Sequence, residues 1–145
     1  MKLTKTSAHA ALAMAYLSAC DHPRPVQARQ VGEHLGVPTD SALKVLQGLS
    51  RYGLLVSRLG RSGGYRMERP ADQVTLLEIV EAIDGPITVE LPLSGNTAKE
   101  PLSGPVGVLR EACGRSAIRL REELSRLTVA DLAAAGEPAT LATVG

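Results

Sequence analysis

The chain has no Phe and no Trp, and its 145 residues include only three tyrosines, Tyr16, Tyr52 and Tyr65. A core without large rings must be filled by Leu, Val, Ile and Ala, and segments rich in Ala and Leu favour helix. A mostly α fold is therefore expected. Cysteine is scarce as well. Cys20 and Cys113 stand far apart with no CxxC partner, which is not a metal-ligand spacing. Each is read as a small buried apolar residue, and no structural disulfide is expected inside a reducing cytoplasm. No apolar run approaches the roughly 20 residues that span a bilayer. Met1–Ser7 leads into an amphipathic pattern rather than the apolar stretch and cleavage site of a secretory signal, so a cytoplasmic location is expected. Paired carboxylates, a Ser-His-Asp set at a supportable spacing and a phosphate loop of the P-loop type are all lacking, so an enzyme is not expected.

What is present is an uneven charge. The net charge of +1 divides into ten Lys and Arg against four Asp and Glu up to Arg69, and six against eleven beyond it. A basic first half suits a polyanion partner, and an acidic second half would be held away from it.

The stretch from Val26 to Met67 carries most of the information. A first helix from about Thr4 to Ala19, with Ala8, Ala11, Leu12, Ala15, Tyr16 and Ala19 at helical spacing, is capped by Thr4 or Thr6. It is broken by Asp21-His22-Pro23-Arg24-Pro25. A second helix over Ala28 to Leu35 buries Ala28, Val31 and Leu35 and ends at Gly36, a left-handed cap. After the turn at Val37-Pro38-Thr39-Asp40, a third helix runs to about Tyr52. Its Ala42, Val45, Leu46 and Leu49 face inward. Asp40, Lys44, Gln47, Gly48 and Arg51 face outward, offering hydrogen-bonding groups, two cations and a small residue that permits close approach. Ordinary solvent-facing residues would look similar; the position straight after a short helix and tight turn is what distinguishes this face. Leu54–Arg58 and Tyr65–Met67 read as a hairpin. Its tip, Leu59 to Gly64, holds three glycines that permit positive φ. Arg58, Arg61 and Arg66 suit a wing lying along a nucleic-acid backbone or reaching into its minor groove.

Beyond the linker Pro70–Gln73, Thr75 and Glu78 have capping-box spacing. They start a helix through Leu76, Leu77, Ile79, Val80 and Ile83 that stops at Asp84-Gly85-Pro86. It is expected to be the last packed element of a DNA-binding domain over residues 1–85. Residues 86–104 read as a long loop. Residues 105–132 read as a long helix, ending near Leu127, and a short final one starting at Thr128. Val106, Leu109, Cys113, Ala117, Leu120, Leu124 and Leu127 recur every three or four residues, the pattern of a helix-pairing seam, so a dimer contact is expected there. The tail, residues 133–145, is expected to be disordered.

The run Met1-Lys2-Leu3-Thr4, then Gly53-Leu54-Leu55, then Gly60 through Gly63-Gly64-Tyr65, then Val74-Thr75-Leu76-Leu77-Glu78-Ile79-Val80-Glu81-Ala82-Ile83-Asp84-Gly85 resembles the IscR/NsrR/CymR-type (Rrf-two) winged helix-turn-helix regulators over about residues 1 to 132. The resemblance implies a homodimeric bacterial transcription regulator, usually a repressor, on a partly palindromic operator in double-stranded DNA. The third helix would enter the major groove and the wing the minor groove. Carried onto this chain, it makes Thr39, Asp40, Ser41, Lys44 and Gln47 the groove-facing candidates. Arg51, Arg58, Arg61 and the Gly63-Gly64 backbone become the phosphate or minor-groove candidates, and Leu43 is assigned to packing. Many such proteins hold an iron–sulfur cluster through three cysteines in the loop before the long helix. Here Leu91 to Gly104 has no cysteine, and clusters need thiolate ligands, so no cofactor or metal is expected. His9, near a possible fourth-ligand position, is read as a surface histidine.

The leading expectation is a cluster-free dimeric repressor whose input is a small molecule, a protein partner or thiol oxidation. The loop from Ile87 to Gly104 is the sensor position; a redox switch at Cys113 would need it to face its mate and to have a lowered thiol pKa, and burial in the seam argues against easy reaction. The second expectation is a winged-helix adaptor that has lost DNA binding.

Overall fold

Thr4 is the first fixed point of the fold. Its hydroxyl accepts from the Ser7 N–H at 3.1 Å and donates to the Asp84 carboxylate at 2.8 Å. The start of the first helix is thereby tied to the end of the fourth. The computed structural model describes residues 3–20, 24–93 and 102–136. Among them the order is α1 (Lys5–Ala19), α2 (Ala28–Leu35), α3 (Thr39–Arg51), β1 (Leu55–Arg58), β2 (Gly64–Met67), a 3-10 turn at Ala71–Gln73, α4 (Leu76–Asp84), α5 (Ser103–Arg126) and α6 (Val129–Ala134). The fold is mostly helical with a hairpin wing and a long C-terminal helix, as the composition and the resemblance imply. No helix among the described residues is long and apolar enough to cross a membrane. Of the tail expected over 133–145, Ala133 and Ala134 instead complete α6, and of the loop expected over 86–104, Ser103 and Gly104 open α5. Asp21–Pro23 of the expected break, residues 94–101 and residues from 137 onward lie outside the described residues.

The core sits around α1, which touches α2, α3, α4, α6 and β2. Ala10, Ala13, Met14 and Leu17 are buried with Val31, Ala42, Leu46, Leu49, Leu54, Val74 and Ile79. Each fully buried Leu, Ile, Val or Met contributes roughly 1.5–3 kcal/mol relative to exposure. The apolar face of α1 differs from the expected one. Leu12 is 53 % exposed, Ala19 is also exposed, and the buried set is Ser7, Ala10, Ala11, Ala13, Met14 and Leu17. A helix wrapped by five neighbours has no single buried stripe, and alanine repeats do not mark one. Tyr16 stacks on His34 at 4.0 Å, joining α1 to α2.

The expected capping box opens α4. The Glu78 N–H donates to Thr75 Oγ1 at 3.2 Å and the Thr75 N–H donates to Glu78 Oε2 at 2.9 Å. Arg69 meets the same carboxylate at 2.5 Å. The helix is not the last packed element, however. After α5 the chain returns beside α4's entry, where the Leu76 N–H donates to Leu127 O and the Val129 N–H to Val74 O, at 2.8 and 2.9 Å. Val129 is fully buried, and α6 packs against α1. A six-residue helix with one strongly apolar anchor is too short for periodicity to reveal where it docks.

Burial works to raise the Glu78 carboxyl, but hydrogen bonds from Thr75 and the Arg69 guanidinium outweigh it and hold its pKa below the ordinary 4.5. A folded-state pKa below the unfolded one contributes stability that is present above the unfolded value and lost as pH falls through the folded one. Wild type should therefore lose stability relative to its own Glu78→Gln variant between about pH 6 and about pH 3. Thermal melts across that range check this; parallel curves for the two proteins would contradict it.

Candidate nucleic-acid interface

A left-handed Gly36, with φ of 67°, ends α2. The turn that follows places Pro38 ahead of α3, whose first N–H groups return to it: Ser41 and Ala42 donate to Pro38 O at 3.0 and 3.1 Å. Ala42, Val45, Leu46 and Leu49 then face the core. Thr39, Asp40, Ser41, Lys44, Gln47 and Arg51 are all exposed, and Leu43 is half-buried at the edge. Asp40 in the first turn and Arg51 in the last complement the helix dipole. Gly48 departs from the outward stripe. A Cβ there would lie 3.1 Å from Ile83 Cδ1, so the small residue admits α4 rather than an outside surface.

The wing is a two-stranded antiparallel hairpin pairing Leu55 with Met67, Val56 with Arg66, Ser57 with Tyr65 and Arg58 with Gly64. A feature without a sequence signal steadies it. Val26 and Tyr65 exchange two backbone hydrogen bonds of 2.8 Å each, so the segment before α2 pairs with the hairpin. Gly64, at φ of 146°, makes this possible, because a Cβ there would stand 2.5 Å from Val26 O. Gly63 is buried, its N–H is bonded to Gly60 O at 3.0 Å, and a Cβ there would fall 2.1 Å from Arg58 O. These two glycines shape the wing; Gly63 has no free N–H to offer a phosphate. Gln27 Nε2 donates to Arg61 O at 3.3 Å and ties the tip to the start of α2. Arg58 and Arg61 are exposed, and Leu59 between them is 95 % exposed.

Two hollows join these parts. Gln47, Ser50 and Arg51 of α3 face Ser57 and Tyr65 of the wing around about 450 Å³. Arg58, Ser62 and Gly63 face Arg24, Pro25, Gln27 and Gln30 around about 500 Å³. Arg24, Gln27 and Gln30 were not foreseen. Arg24 stands between two prolines that signal only a break, and Gln27 and Gln30 give themselves away only by their i, i+3 spacing at a helix start. Arg66 lines a different hollow, with Ser18 and the segment from Met67 to Ala71. Ion pairing separates the cations. Arg29, Arg69, Arg115, Arg121 and Arg126 each pair with a carboxylate. Among the described residues Arg24, Lys44, Arg51, Arg58 and Arg61 have no such partner.

The seam residues of α5 divide. Val106 and Ala117 are buried within the chain, and Cys113, Leu120 and Leu124 are half-buried. Arg121 pairs with Glu81 of α4. Leu102, Leu109 and Leu127 remain 45, 49 and 44 % exposed. At 100° per residue they line one edge of the stripe, while α4 lies against α5.

A sequence model of the Rrf2 family, described as iron-dependent transcriptional regulators, matches residues 3–135. An HTH-type transcriptional regulator of Mycobacterium tuberculosis (strain H37Rv), Rv1287, is 25 % identical over 138 residues, covering 95 % of this chain and 84 % of that one. The fold is similar to that of CymR, the global cysteine regulator of B. subtilis, with a TM-score of 0.73, 20 % identity, and 94 % of this chain and 99 % of that one covered. It is similar also to T. potens IscR, with a TM-score of 0.65, 19 % identity, and 96 % and 90 % covered.

Iron dependence does not fit the donors of this chain. It has two cysteines. Cys20 ends α1 and Cys113 lies within α5. Among the described residues no three His, Cys, Asp or Glu side chains gather as a metal set. An iron–sulfur cluster held by three thiolates of one loop has no counterpart here.

Replacing Gly64 by Ala should strain the wing on two counts, φ and the approach to Val26 O, at a cost of about 1–3 kcal/mol. Denaturation midpoints should fall, and the amides of Val26 and Tyr65 should exchange faster. Undiminished protection of both amides would contradict the assignment.

Proposed function

This chain belongs to the Rrf2 family of transcriptional regulators, and from that premise we propose that it is a homodimeric repressor that grips duplex DNA without an iron–sulfur cluster. The observation that carries the reading is the group of cations Arg24, Lys44, Arg51, Arg58 and Arg61 gathered around α3 and the wing, which among the described residues have no carboxylate partner. An α-helix fits the major groove. In this reading Thr39, Asp40, Ser41 and Gln47 meet base edges there, with Gln47 able to pair with adenine in a bidentate manner. Arg51, Arg58 and Arg61 take phosphates or the minor groove, and Arg24 joins them beside Arg58. Such contacts release counterions and make affinity fall steeply with salt.

A second copy would cover the open edge of α5. That helix has 24 residues, about 36 Å in length, and three exposed leucines mark a surface suited to an isologous contact. Two heads held this way would read two half-sites of a partly palindromic operator. The test of the whole reading is binding of the full chain to DNA from its own upstream region. Affinity that falls steeply with salt supports it, and failure to retard any genomic fragment favours an adaptor.

Two substitutions separate grip from reading. Arg61→Ala should weaken binding to every sequence and make the salt exponent shallower by about one. Gln47→Ala should keep the exponent and cost about 1–3 kcal/mol at one base pair. Footprints that shift equally for both would contradict the groove assignment. For the dimer, Leu109→Glu places a charge on an exposed position of the seam. Sedimentation should then report folded monomers, and a surviving dimer would put the contact elsewhere.

A further inference from the structure

The wing and its hollow occupy one flank of the outward stripe of α3. On the other flank lies a smaller hollow of about 270 Å³, lined by Lys5, Thr6 and His9 of α1, by Val37 and Pro38 of the turn, and by Ser41, Lys44 and Val45 of α3. At 100° per residue Ser41 and Ser50 stand on opposite sides of the line through Asp40, Lys44, Gln47 and Arg51. Ser50 belongs to the wing-side hollow, so the two hollows bracket one stripe.

The chemistry of the smaller hollow is that of an anion site. Its lining includes two lysines, one histidine and two hydroxyl-bearing residues, with no carboxylate. Among the described residues neither Lys5 nor Lys44 is in an ion pair. The first turn of α1 has no acidic residue to offset its dipole and carries Lys5 instead, an arrangement that disfavours the isolated helix and favours an outside anion. The carboxylate bound to this end of α1, Asp84, is engaged by the Thr4 hydroxyl. Thr4 and the buried Ser7, whose hydroxyl donates to Thr4 O at 3.0 Å, hold the turn in place.

We propose that this notch binds a phosphodiester of the DNA backbone on the flank of α3 away from the wing, and that protonation of His9 strengthens its hold. The inference rests on the DNA-binding reading and extends it. It moves Lys44 from base reading to backbone contact and adds α1 to the interface. Among the residues lining the notch the charged groups beside His9 are Lys5 on its own helix and Lys44 on α3, and from α4 the Asp84 carboxylate meets Thr4 at the same end of α1. Histidine changes charge between pH 5 and 8, and each phosphate neutralised adds about 0.9 to the salt exponent, about 3.5-fold in affinity for a fourfold change in salt.

The experiment uses the full chain and a DNA fragment from its upstream region, with affinity measured against salt at about pH 6 and about pH 8. Wild type should have an exponent steeper by up to about one at the lower pH. His9→Gln should abolish that difference and leave base preference intact. Lys5→Gln should lower the exponent at both pH values by a share of the about 0.9 that one phosphate carries. The same pH difference persisting in His9→Gln, or an unchanged exponent in Lys5→Gln, overturns the inference while leaving the repressor reading standing. Wild type that binds no DNA overturns both. A final arm follows the His9 imidazole by NMR with inorganic phosphate as the probe. Saturation by phosphate that leaves DNA affinity unchanged would assign the notch to a free anion and overturn the backbone contact.

Discussion

Two backbone hydrogen bonds between Val26 and Tyr65 hold the interface in shape. They make the wing and the entry to α2 one body, and α2 in turn is bound to α3 by the tight turn after Gly36. The stripe on α3 and the tip of the wing therefore keep a fixed separation. That matters because groove recognition depends on several contacts being met at once, and a loose arm would spend part of the binding energy on being ordered. The requirement for two chains to approach this closely is what excludes a side chain at position 64.

The helix α4 performs the corresponding task at the other end of the domain. Its three carboxylates each hold a different piece. Glu78 closes the capping box and takes Arg69 from the chain leaving the wing. Glu81, whose side chain is largely buried, pairs with Arg121 of α5 and accepts the Ile87 N–H at 3.2 Å. Asp84 takes the hydroxyl of Thr4. Exposed ion pairs contribute little singly. Glu81 is shielded, Glu78 is half-buried and Asp84 is exposed, but all three are hydrogen-bonded and spaced along one helix, so they act as positional ties. The segment from Val74 to Gly85 is thus where wing, α1 and α5 are fastened to one another.

Much of this was legible from the residues. The extents of α2 and α3, the inward set Ala42, Val45, Leu46 and Leu49, the left-handed Gly36 and the Thr75–Glu78 box all follow from local chemistry, because their causes lie within a turn or two of chain. What escaped depends on contacts distant in sequence. Gly48 looks outward on a helical wheel until Ile83 arrives from α4. Gly63 looks like a free backbone donor until Gly60 folds back to occupy its N–H. The alanines of α1 carry too little contrast to show that five elements surround them. The docking of Val129 needed the return of the chain past Thr75. In the candidate interface, outward positions of α3 could be read from periodicity, whereas Arg24 and the Lys5–His9 turn are brought beside it only by folding.

The charge division has a physical explanation at the same level. In the acidic half of the chain three of the five described arginines are paired, Arg121 with Glu81, Arg115 with Glu111 and Arg126 with Glu123, while Arg110 and Arg119 stand among an excess of carboxylates. In the basic half Arg24, Lys44, Arg51, Arg58 and Arg61 find no carboxylate within reach, though Arg29 and Arg69 do. A net charge near zero would suggest an indifferent surface, but polyanion binding responds to local potential rather than to the sum. Pairing removes some cations from that potential, and five of those left unpaired, Arg24, Lys44, Arg51, Arg58 and Arg61, gather around α3 and the wing. The wing-side arginines and the lysines beside α1 lie on opposite flanks of that helix, so a duplex seated on α3 would bring a phosphate backbone toward each. Affinity would then come from both flanks, and the polar stripe between them would be left to discriminate among bases.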